Sequence, residues 1–217
     1  MISTTQFNFQ EKFWGGYRYI IKSFQDEYKF GKSADLGISI AYNFADWGYA
    51  DAIIVNGEGY KKIQINDGLN YGIGITLTPV KGFHIRVYGG VNERVEDGKK
   101  DAINLATFAG YKHKKFMIGV EYNQVWNSSY VSNDVKNGYF VYTSVNLSKI
   151  TDLYARFDTV NSKNDSNIVK KEIAAILGAQ FKLGKYVKIA PNFIMTTLKT
   201  NGATYRYYAY VNCYFGF

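Results

Sequence analysis

The chain has 217 residues, of which 18% are aromatic, and a formal net charge of +8 from 26 basic and 18 acidic side chains. Its single cysteine, Cys213, excludes an intrachain disulfide, and its two histidines form no metal-ligand cluster. No stretch approaches the roughly 18 consecutive apolar residues of a membrane-spanning helix, so a helical span is excluded as well.

The first 32 residues differ from the rest of the chain because apolar and polar residues do not alternate in them. Residues 1–7 lack the basic start and the apolar stretch of a secretory signal. Residues 11–24 are rich in aromatic and basic side chains. We expect residues 1–32 to form an extended loop that contains a helical turn.

Residues 33–217 show the period-two alternation of apolar and polar side chains that is typical of β-strands. The second candidate strand alternates least cleanly, at residues 51–55. Pro191 lies inside another candidate, where it removes a hydrogen bond from the ladder; this counts against an unbroken strand there, and a bulge would reconcile the two. The eleven candidate strands are residues 33–44, 49–56, 69–78, 83–92, 102–111, 116–126, 138–147, 153–160, 169–183, 187–198 and 204–217.

The connections between these strands alternate in length. In outer-membrane β-barrels short turns lie on the periplasmic side and longer loops lie outside, because each strand reverses direction. A soluble sandwich has no reason to sort its turns in this way. The short connections are residues 45–48, 79–82, 112–115, 148–152 and 184–186, and the longer ones are residues 57–68, 93–101, 127–137, 161–168 and 199–203.

The last candidate strand carries the clearest signal. Its length of roughly 11–13 residues exceeds the usual strand of about 5–6 and suits the crossing of a bilayer, which needs about 9–11. Tyr205, Tyr207, Phe215 and the terminal Phe217 share one face of it, and such a strand resembles the signal that the bacterial barrel-assembly machinery reads. The sequence therefore predicts an all-β fold, an antiparallel transmembrane β-barrel in the outer membrane of a Gram-negative-type bacterium.

The two faces of the strands predict which side chains meet lipid and which meet water. The outward face carries almost no charge, as expected where an arginine or lysine would cost about 2–4 kcal/mol. The inward face is polar, and its candidate pore-lining residues are His84, Arg86, Glu121, Arg156, Asp158, Lys188 and Arg206. If residues 1–32 fold into the lumen, Arg18 and Lys22 stand at a constriction, where desolvated cations favour anions. The alternative is an outer loop with ordinary surface charges.

The strand count leaves two architectures open, because eleven is odd and a bacterial single-chain barrel usually has an even number. Residues 2–9 can supply an additional strand, which gives a barrel of about 12 strands. Alternatively, the chain is the C-terminal part of a porin of about 16–18 strands, which agrees with the missing export signal and is the interpretation we favour.

Several short motifs resemble the C-terminal part of outer-membrane porins related to the phosphate-selective porin family. The resemblance covers roughly residues 11–217 and implies a larger barrel, a homotrimer, an inward-folded loop that narrows the pore, and anion selectivity from arginines and lysines along the channel. The motifs are Glu11-Lys-Phe-Trp-Gly, Ser33-Ala-Asp-Leu-Gly, Val55-Asn-Gly-Glu-Gly-Tyr-Lys, Thr76-Leu-Thr-Pro-Val-Lys-Gly, Phe108-Ala-Gly-Tyr-Lys and Lys185-Tyr-Val-Lys-Ile-Ala-Pro-Asn.

The excess positive charge lies mostly in turns and loops, as at Lys99-Lys100 and Lys114-Lys115, and indicates a solvated surface that can also pair with lipopolysaccharide phosphates. No separate basic face with stacking aromatics predicts nucleic-acid binding. We expect passive diffusion of small hydrophilic solutes, including anions, with no cofactor and no metal. A non-conducting structural or surface-interaction barrel is the alternative.

An outer-membrane enzyme is a third and weaker alternative. It would pair His84 with Asp158 or Glu121 and use a nucleophile such as Ser144. A lumen histidine hydrogen-bonded to a neighbouring acid is the commoner arrangement, and no nucleophile motif is present, so we expect no enzymatic activity.

Overall fold

The computed structural model describes residues 2–14, 16–61, 68–162, 171–199 and 203–216. Its main feature is one antiparallel sheet of eleven strands, in which each strand pairs with the next one along the chain. A short pair, β1 (Ile2–Ser3) and β2 (Ala34–Asp35), stands apart from this sheet. The eleven strands are β3 (Gly37–Ala45), β4 (Gly48–Val55), β5 (Asn70–Val80), β6 (Phe83–Asn92), β7 (Ala102–Lys112), β8 (Phe116–Trp126), β9 (Val135–Asn146), β10 (Thr151–Ser162), β11 (Lys171–Leu183), β12 (Val187–Lys199) and β13 (Ala203–Phe215).

The strands are long, with up to 13 residues in β11, β12 and β13. At about 3.3 Å per residue, 13 residues extend about 43 Å, which is enough to cross a hydrocarbon core of about 30 Å at a tilt. The second candidate strand is confirmed as β4, in which Ile53 and Val55 are buried and Ile54 between them is exposed.

The pairing register is continuous along most of the sheet. It shifts between Asn43 and Ala45 in β3 and between Leu77 and Val80 in β5. The strand is unbroken at Pro191 and needs no bulge there, because β12 keeps one register with β13 through Pro191 opposite Val211. The pairs that β12 forms with β11 on either side of Pro191 are likewise in a single register. The missing proline N–H therefore removes a hydrogen bond without inserting a residue.

The predicted rhythm of the connections holds for most of the sheet. Two residues, Lys81 and Gly82, join β5 to β6, with Gly82 at φ 86°, where glycine has no steric cost. Residues 56–69, 93–101 and 127–134 form longer connections at the opposite end of the strands. The β12–β13 connection was expected to be long, but the two strands extend until only residues 200–202 separate them.

The core lies on one side of the sheet. The outward face is apolar and exposed, with Ile38 at 77%, Leu177 at 65% and Ile73 at 61%. Residues 5–14 and 16–30 pack on the inward face of the middle strands, and the aromatic core lies between the two layers. A soluble protein would bury such an aliphatic face, so the exposed belt is a lipid-facing surface.

The N-terminal segment is helical where an extended loop was expected. It contains α1 (Thr5–Trp14), a 3₁₀ turn (Tyr17–Tyr19) and α2 (Phe24–Glu27). One face of α1 is buried, namely Gln6, Phe7, Gln10, Phe13 and Trp14, so tertiary contacts rather than local alternation decide this helix. No helix in the described parts of the chain is both long and apolar enough to cross a membrane.

The helix takes the place of the additional strand that residues 2–9 were expected to supply in a barrel of about 12 strands. Residues 2–9 do not supply a further strand of the large sheet, because only Ile2 and Ser3 are extended there and they pair with β2. Since the sheet has an odd number of antiparallel strands, its end strands β3 and β13 run in the same direction.

Candidate functional site

The candidate site is the inward face of the sheet together with the N-terminal segment packed on it. All seven inward residues singled out from the sequence lie on this face, on β6, β8, β10, β12 and β13. Four of them are buried under the N-terminal segment, with exposures of 1% for Arg86, 1% for Glu121, 3% for Arg156 and 0% for Asp158. Burial at this level means that these four side chains contact protein rather than open water.

Hydrogen bonds of Arg86, which lies on β6, link β4, β5 and β6 to α1. Its guanidinium binds both carboxylate oxygens of Asp51 on β4, at 2.6 and 3.0 Å, and donates to the hydroxyl of Thr76 on β5 at 2.8 Å. The remaining Nε–H donates to Oε1 of Gln6 at 2.8 Å. Arg86 also lies 5.2 Å from the centroid of the Phe9 ring. The bidentate geometry makes this a strong, charge-assisted pair.

Glu121 is the second attachment point, and its carboxylate accepts hydrogen bonds from side-chain amides of both helices. Its carboxylate accepts from Gln6 at 3.2 Å, from Gln10, from Gln25 at 3.4 Å, and from its strand neighbour Asn123 at 2.6 Å. Gln25 also donates to Asn123 Oδ1 at 2.6 Å. A single carboxylate thus fixes α1 and the start of α2 against β8.

Arg156 and Asp158 form an ion pair two residues apart on β10, with an Nη2–Oδ2 distance of 2.7 Å. Nε of Arg156 also donates to Asp158, and Nη1 donates to the backbone carbonyl of Lys22 at 2.6 Å. The cation lies 4.7 Å from the Phe140 ring centroid. Arg156 therefore holds the backbone of the N-terminal segment rather than facing an open lumen.

Two lysines that the sequence reasoning missed hold the ends of the helices. Lys136 Nζ donates to the carbonyls of Tyr28 and Lys29, at 2.9 and 2.8 Å. Lys112 Nζ lies 3.5 Å from the carbonyls of Lys12 and Phe13 at the end of α1. Cations are favourable at helix C-termini, where carbonyls are unsatisfied. Both residues have even numbers, as the inward-facing residues of β7 and β9 do, and this was the signal that the sequence offered. Both were instead assigned to the connections between strands.

The remaining predicted residues are more accessible. Arg18 pairs with Glu11 at 2.8 Å and with Asp26 at 2.6 Å, within the N-terminal segment itself. Lys188 Nζ lies 5.2 Å from the Tyr214 ring centroid and 6.0 Å from that of Tyr19, and Arg206 is exposed. Next to them, burial and the charge of Asp152 raise the pKa of the Tyr17 phenol to about 12, so it is neutral at physiological pH.

The structure does not assemble the acid–base pair of the enzyme alternative. Nδ1 of His84 hydrogen-bonds to the Thr78 hydroxyl at 3.0 Å, and its ring packs edge-on against Phe13. The two acids considered as partners, Glu121 and Asp158, bind amides and Arg156 instead. In the described residues no group of three or more side chains could hold a metal ion.

A cavity of about 690 Å³ remains at the end of the sheet that carries the longer connections. It lies between the N-terminal segment and the ends of the strands, and two acidic residues, Asp26 and Glu58, line it. The cations that line it are Arg18, Lys22, Lys29, Lys32, Lys61 and Lys136. The wall of the cavity therefore carries an excess of positive charge, and Lys22 on it is exposed.

Three of the four aromatic residues proposed as the assembly signal lie on the outward face of the last strand. Tyr205, Tyr207 and Phe215 are on the outward face, with exposures of 56%, 60% and 63%. Phe217 lies outside the described residues. Aromatic rings at a lipid-facing strand end suit the membrane–water interface.

No protein-family model and no curated protein sequence matches this chain. Its fold matches solved structures of outer-membrane proteins. The channel DcaP of Acinetobacter baumannii aligns with a TM-score of 0.65 at 9% identity, over 83% of this chain and 61% of that one. The protein OmpT of Vibrio cholerae aligns at 0.67 and 15% identity, over 99% and 74%. The anion-selective porin of Comamonas acidovorans aligns at 0.61 and 14% identity, over 84% and 58%.

These likenesses confirm the fold. The chain spans about three fifths of the length of the DcaP and Comamonas channels. Together with the exposed apolar belt, they make the predicted fold class correct: an antiparallel sheet of the outer-membrane β-barrel type, with its lipid-facing surface in that membrane.

Proposed function

We propose that this chain forms the wall of an outer-membrane channel for the passive diffusion of small hydrophilic solutes, with a preference for anions. The observation that carries the proposal is the electropositive cavity, lined by six cations and two acids, at the mouth of a polar inward face. Transfer of an ion into hydrocarbon is prohibitive, so a polar path through the membrane lowers that cost. Fixed cations at a narrow mouth then favour anions over cations.

In this proposal the N-terminal segment lies in the lumen as a constricting element, and Lys22 and Lys29 act at the mouth. Both line the cavity, and both are exposed. Arg18 contributes less than the sequence analysis expected, because Glu11 and Asp26 neutralise it. Kinship with the phosphate-selective porin family would be consistent with this arrangement.

The test is the reversal potential of single channels in planar bilayers under a KCl gradient. We expect wild-type channels to prefer chloride and a Lys22→Glu/Lys29→Glu variant to lose or invert that preference. The matched control is Lys114→Glu/Lys115→Glu, which places the same charge change in the short β7–β8 connection, at the other end of the strands. An unchanged reversal potential in the cavity variant, or an equal change in the control, contradicts the proposal.

A non-conducting barrel is the second candidate, favoured by the depth of the packing on the inward face. Phe24 is 0% exposed, and Trp14 and Phe13 are 3% and 5% exposed against the strands. Membranes that contain correctly inserted protein but show no current steps at any salt concentration would establish this alternative.

The proposal also includes partners. The aromatic outward end of β13 would be read by the barrel-assembly machinery, exposed lysines of the longer connections would pair with lipopolysaccharide phosphates, and three copies would associate as a homotrimer. Chemical cross-linking in native membranes, followed by mass measurement, tests the trimer. A product no larger than one chain would contradict it.

A further inference from the structure

One strip of the inward face is contacted by the N-terminal segment only at one end, where Asn212 and Tyr214 meet Tyr19. It is formed by β13, whose inward residues are Arg206, Tyr208, Tyr210, Asn212 and Tyr214. The three tyrosines are 37%, 48% and 41% exposed, whereas inward aromatics such as Tyr142 and Tyr154 elsewhere in the sheet are 2% exposed. The strip is therefore an accessible aromatic surface on the polar side of the sheet.

The aromatic rings follow one another along the strand. The rings of Tyr208 and Tyr210 are nearly parallel, with centroids 5.8 Å apart and an interplanar angle of 16°. Tyr214 continues the row and meets Tyr19 of the N-terminal segment at 5.7 Å. From residue 206 to residue 214 the strand rises about 27 Å, which at a tilt of about 40° covers about 20 Å of the hydrocarbon thickness of about 30 Å. The row thus extends across about two thirds of the hydrocarbon region beside the N-terminal segment.

The charged and hydrogen-bonding side chains of this strip limit the class of ligand that can bind there. Residues 187–216 contain no aspartate and no glutamate. Arg206 stands at one end of the row, and Lys188 lies 5.2 Å from the ring of Tyr214 at the other. The phenol hydroxyls of Tyr208 and Tyr210 lie between these two cations. The amides of Asn192 and Asn212 lie there as well, but they are already bonded within the protein, Asn192 to Asn212 at 2.7 Å and Asn212 to the carbonyl of Tyr19 at 3.2 Å. An anion is favoured, and a purely aromatic acid would offer no hydrogen-bond partner to the phenol hydroxyls.

We propose that the inward face of β12–β13 is a binding track for acidic saccharides. The proposal rests on the proposed channel function and names the solute class. The C–H face of a pyranose ring packs on a tyrosine ring, its hydroxyls bind the phenol groups, and its carboxylate pairs with Arg206 or Lys188. The other face of the same strand, with Tyr205 and Tyr207, meets lipid and takes no part.

Three probes separate the contributions of the pyranose ring and of the carboxylate to binding. Glucuronate has a pyranose ring and a carboxylate, glucose has the ring without the charge, and gluconate has the charge and hydroxyls without the ring. Binding to the detergent-refolded chain is measured by saturation-transfer NMR, which requires no ion conduction. We expect glucuronate to bind at least tenfold more tightly than either of the other two.

The variant Tyr208→Leu/Tyr210→Leu removes both rings and keeps apolar side chains. It should weaken glucuronate binding about tenfold, which corresponds to about 1.4 kcal/mol. The matched control Tyr205→Leu/Tyr207→Leu makes the same exchange on the lipid side of the strand and should leave binding unchanged. Arg206→Gln should reduce the preference for glucuronate over glucose without affecting glucose. Gel mobility of the heated and unheated protein verifies that each variant is folded.

The outcomes separate this inference from the channel function. A chain that conducts ions but binds the three probes equally, or whose binding survives the loss of both rings, overturns the track and leaves the channel standing. A chain that binds glucuronate through these tyrosines but conducts nothing retains the track as a binding site and overturns the channel.

Discussion

The pair of Arg86 and Asp51 offers a sharp test of how the N-terminal segment is attached. Both side chains are nearly inaccessible, at 1% and 4%, and the guanidinium also serves Thr76 and Gln6. Arg86→Met keeps the length and apolar bulk of the side chain but leaves the Asp51 carboxylate buried without its cation. Removal of one partner of a buried pair costs about 3–5 kcal/mol, so we expect Arg86→Met and Asp51→Leu each to destabilise the protein by that amount.

The double variant should be more stable than either single variant. With both charges gone, only Oε1 of Gln6 and the hydroxyl of Thr76 lose a partner, and a buried group of this kind costs about 1–3 kcal/mol. The two substitutions are therefore strongly non-additive. The free energy of unfolding is measured by urea titration of the protein in phospholipid vesicles, with tryptophan emission as the signal.

The matched control is Arg94→Met, at a guanidinium that is 30% exposed and pairs with Glu96 at 2.8 Å. An exposed pair is worth about 0–1 kcal/mol, so this variant should stay close to wild type. The reasoning is refuted if the double variant costs the sum of the two single variants, because then the two side chains do not stabilise each other.

Three further substitutions test other parts of the structure. The ring of Phe24 is 0% exposed and lies 5.5 Å from that of Phe140, so Phe24→Ala should weaken docking of the N-terminal segment by about 3–5 kcal/mol. The emission of Trp14 should then shift to the red, and an unshifted spectrum contradicts the packing. Lys29 has φ 56° just after α2, a left-handed conformation that glycine adopts without strain, so Lys29→Gly should stabilise the protein by about 1 kcal/mol in urea titrations. Destabilisation would mean that the contacts of the Lys29 side chain contribute more to stability than the relief of backbone strain. Val87→Arg on the outward face should cost about 2–4 kcal/mol in vesicles, and equal stability of wild type and variant would show that this face does not meet hydrocarbon.

The inward residues show how far sequence reasoning reaches into the candidate site. Arg86, Glu121 and Arg156 were placed on the correct face because the parity of a strand residue decides its side of the sheet. Their partners Gln6, Gln10 and Gln25 were not foreseen, since no local pattern relates a glutamine in residues 1–32 to a carboxylate about a hundred residues later. The predicted pore-lining role of Arg86, Glu121 and Arg156 accordingly becomes one of holding the N-terminal segment.

The sequence by itself determined the eleven strands, their antiparallel order and the separation of apolar from polar faces, because a period of two is a local property and each short connection forces a reversal. Only the tertiary structure decided that Thr5–Trp14 is a helix and that it covers the buried charges of the wall. Ten residues with a weak helical pattern are not stable alone in water. They become helical here because the inward face supplies Arg86, Glu121 and Lys112 as partners from three different strands.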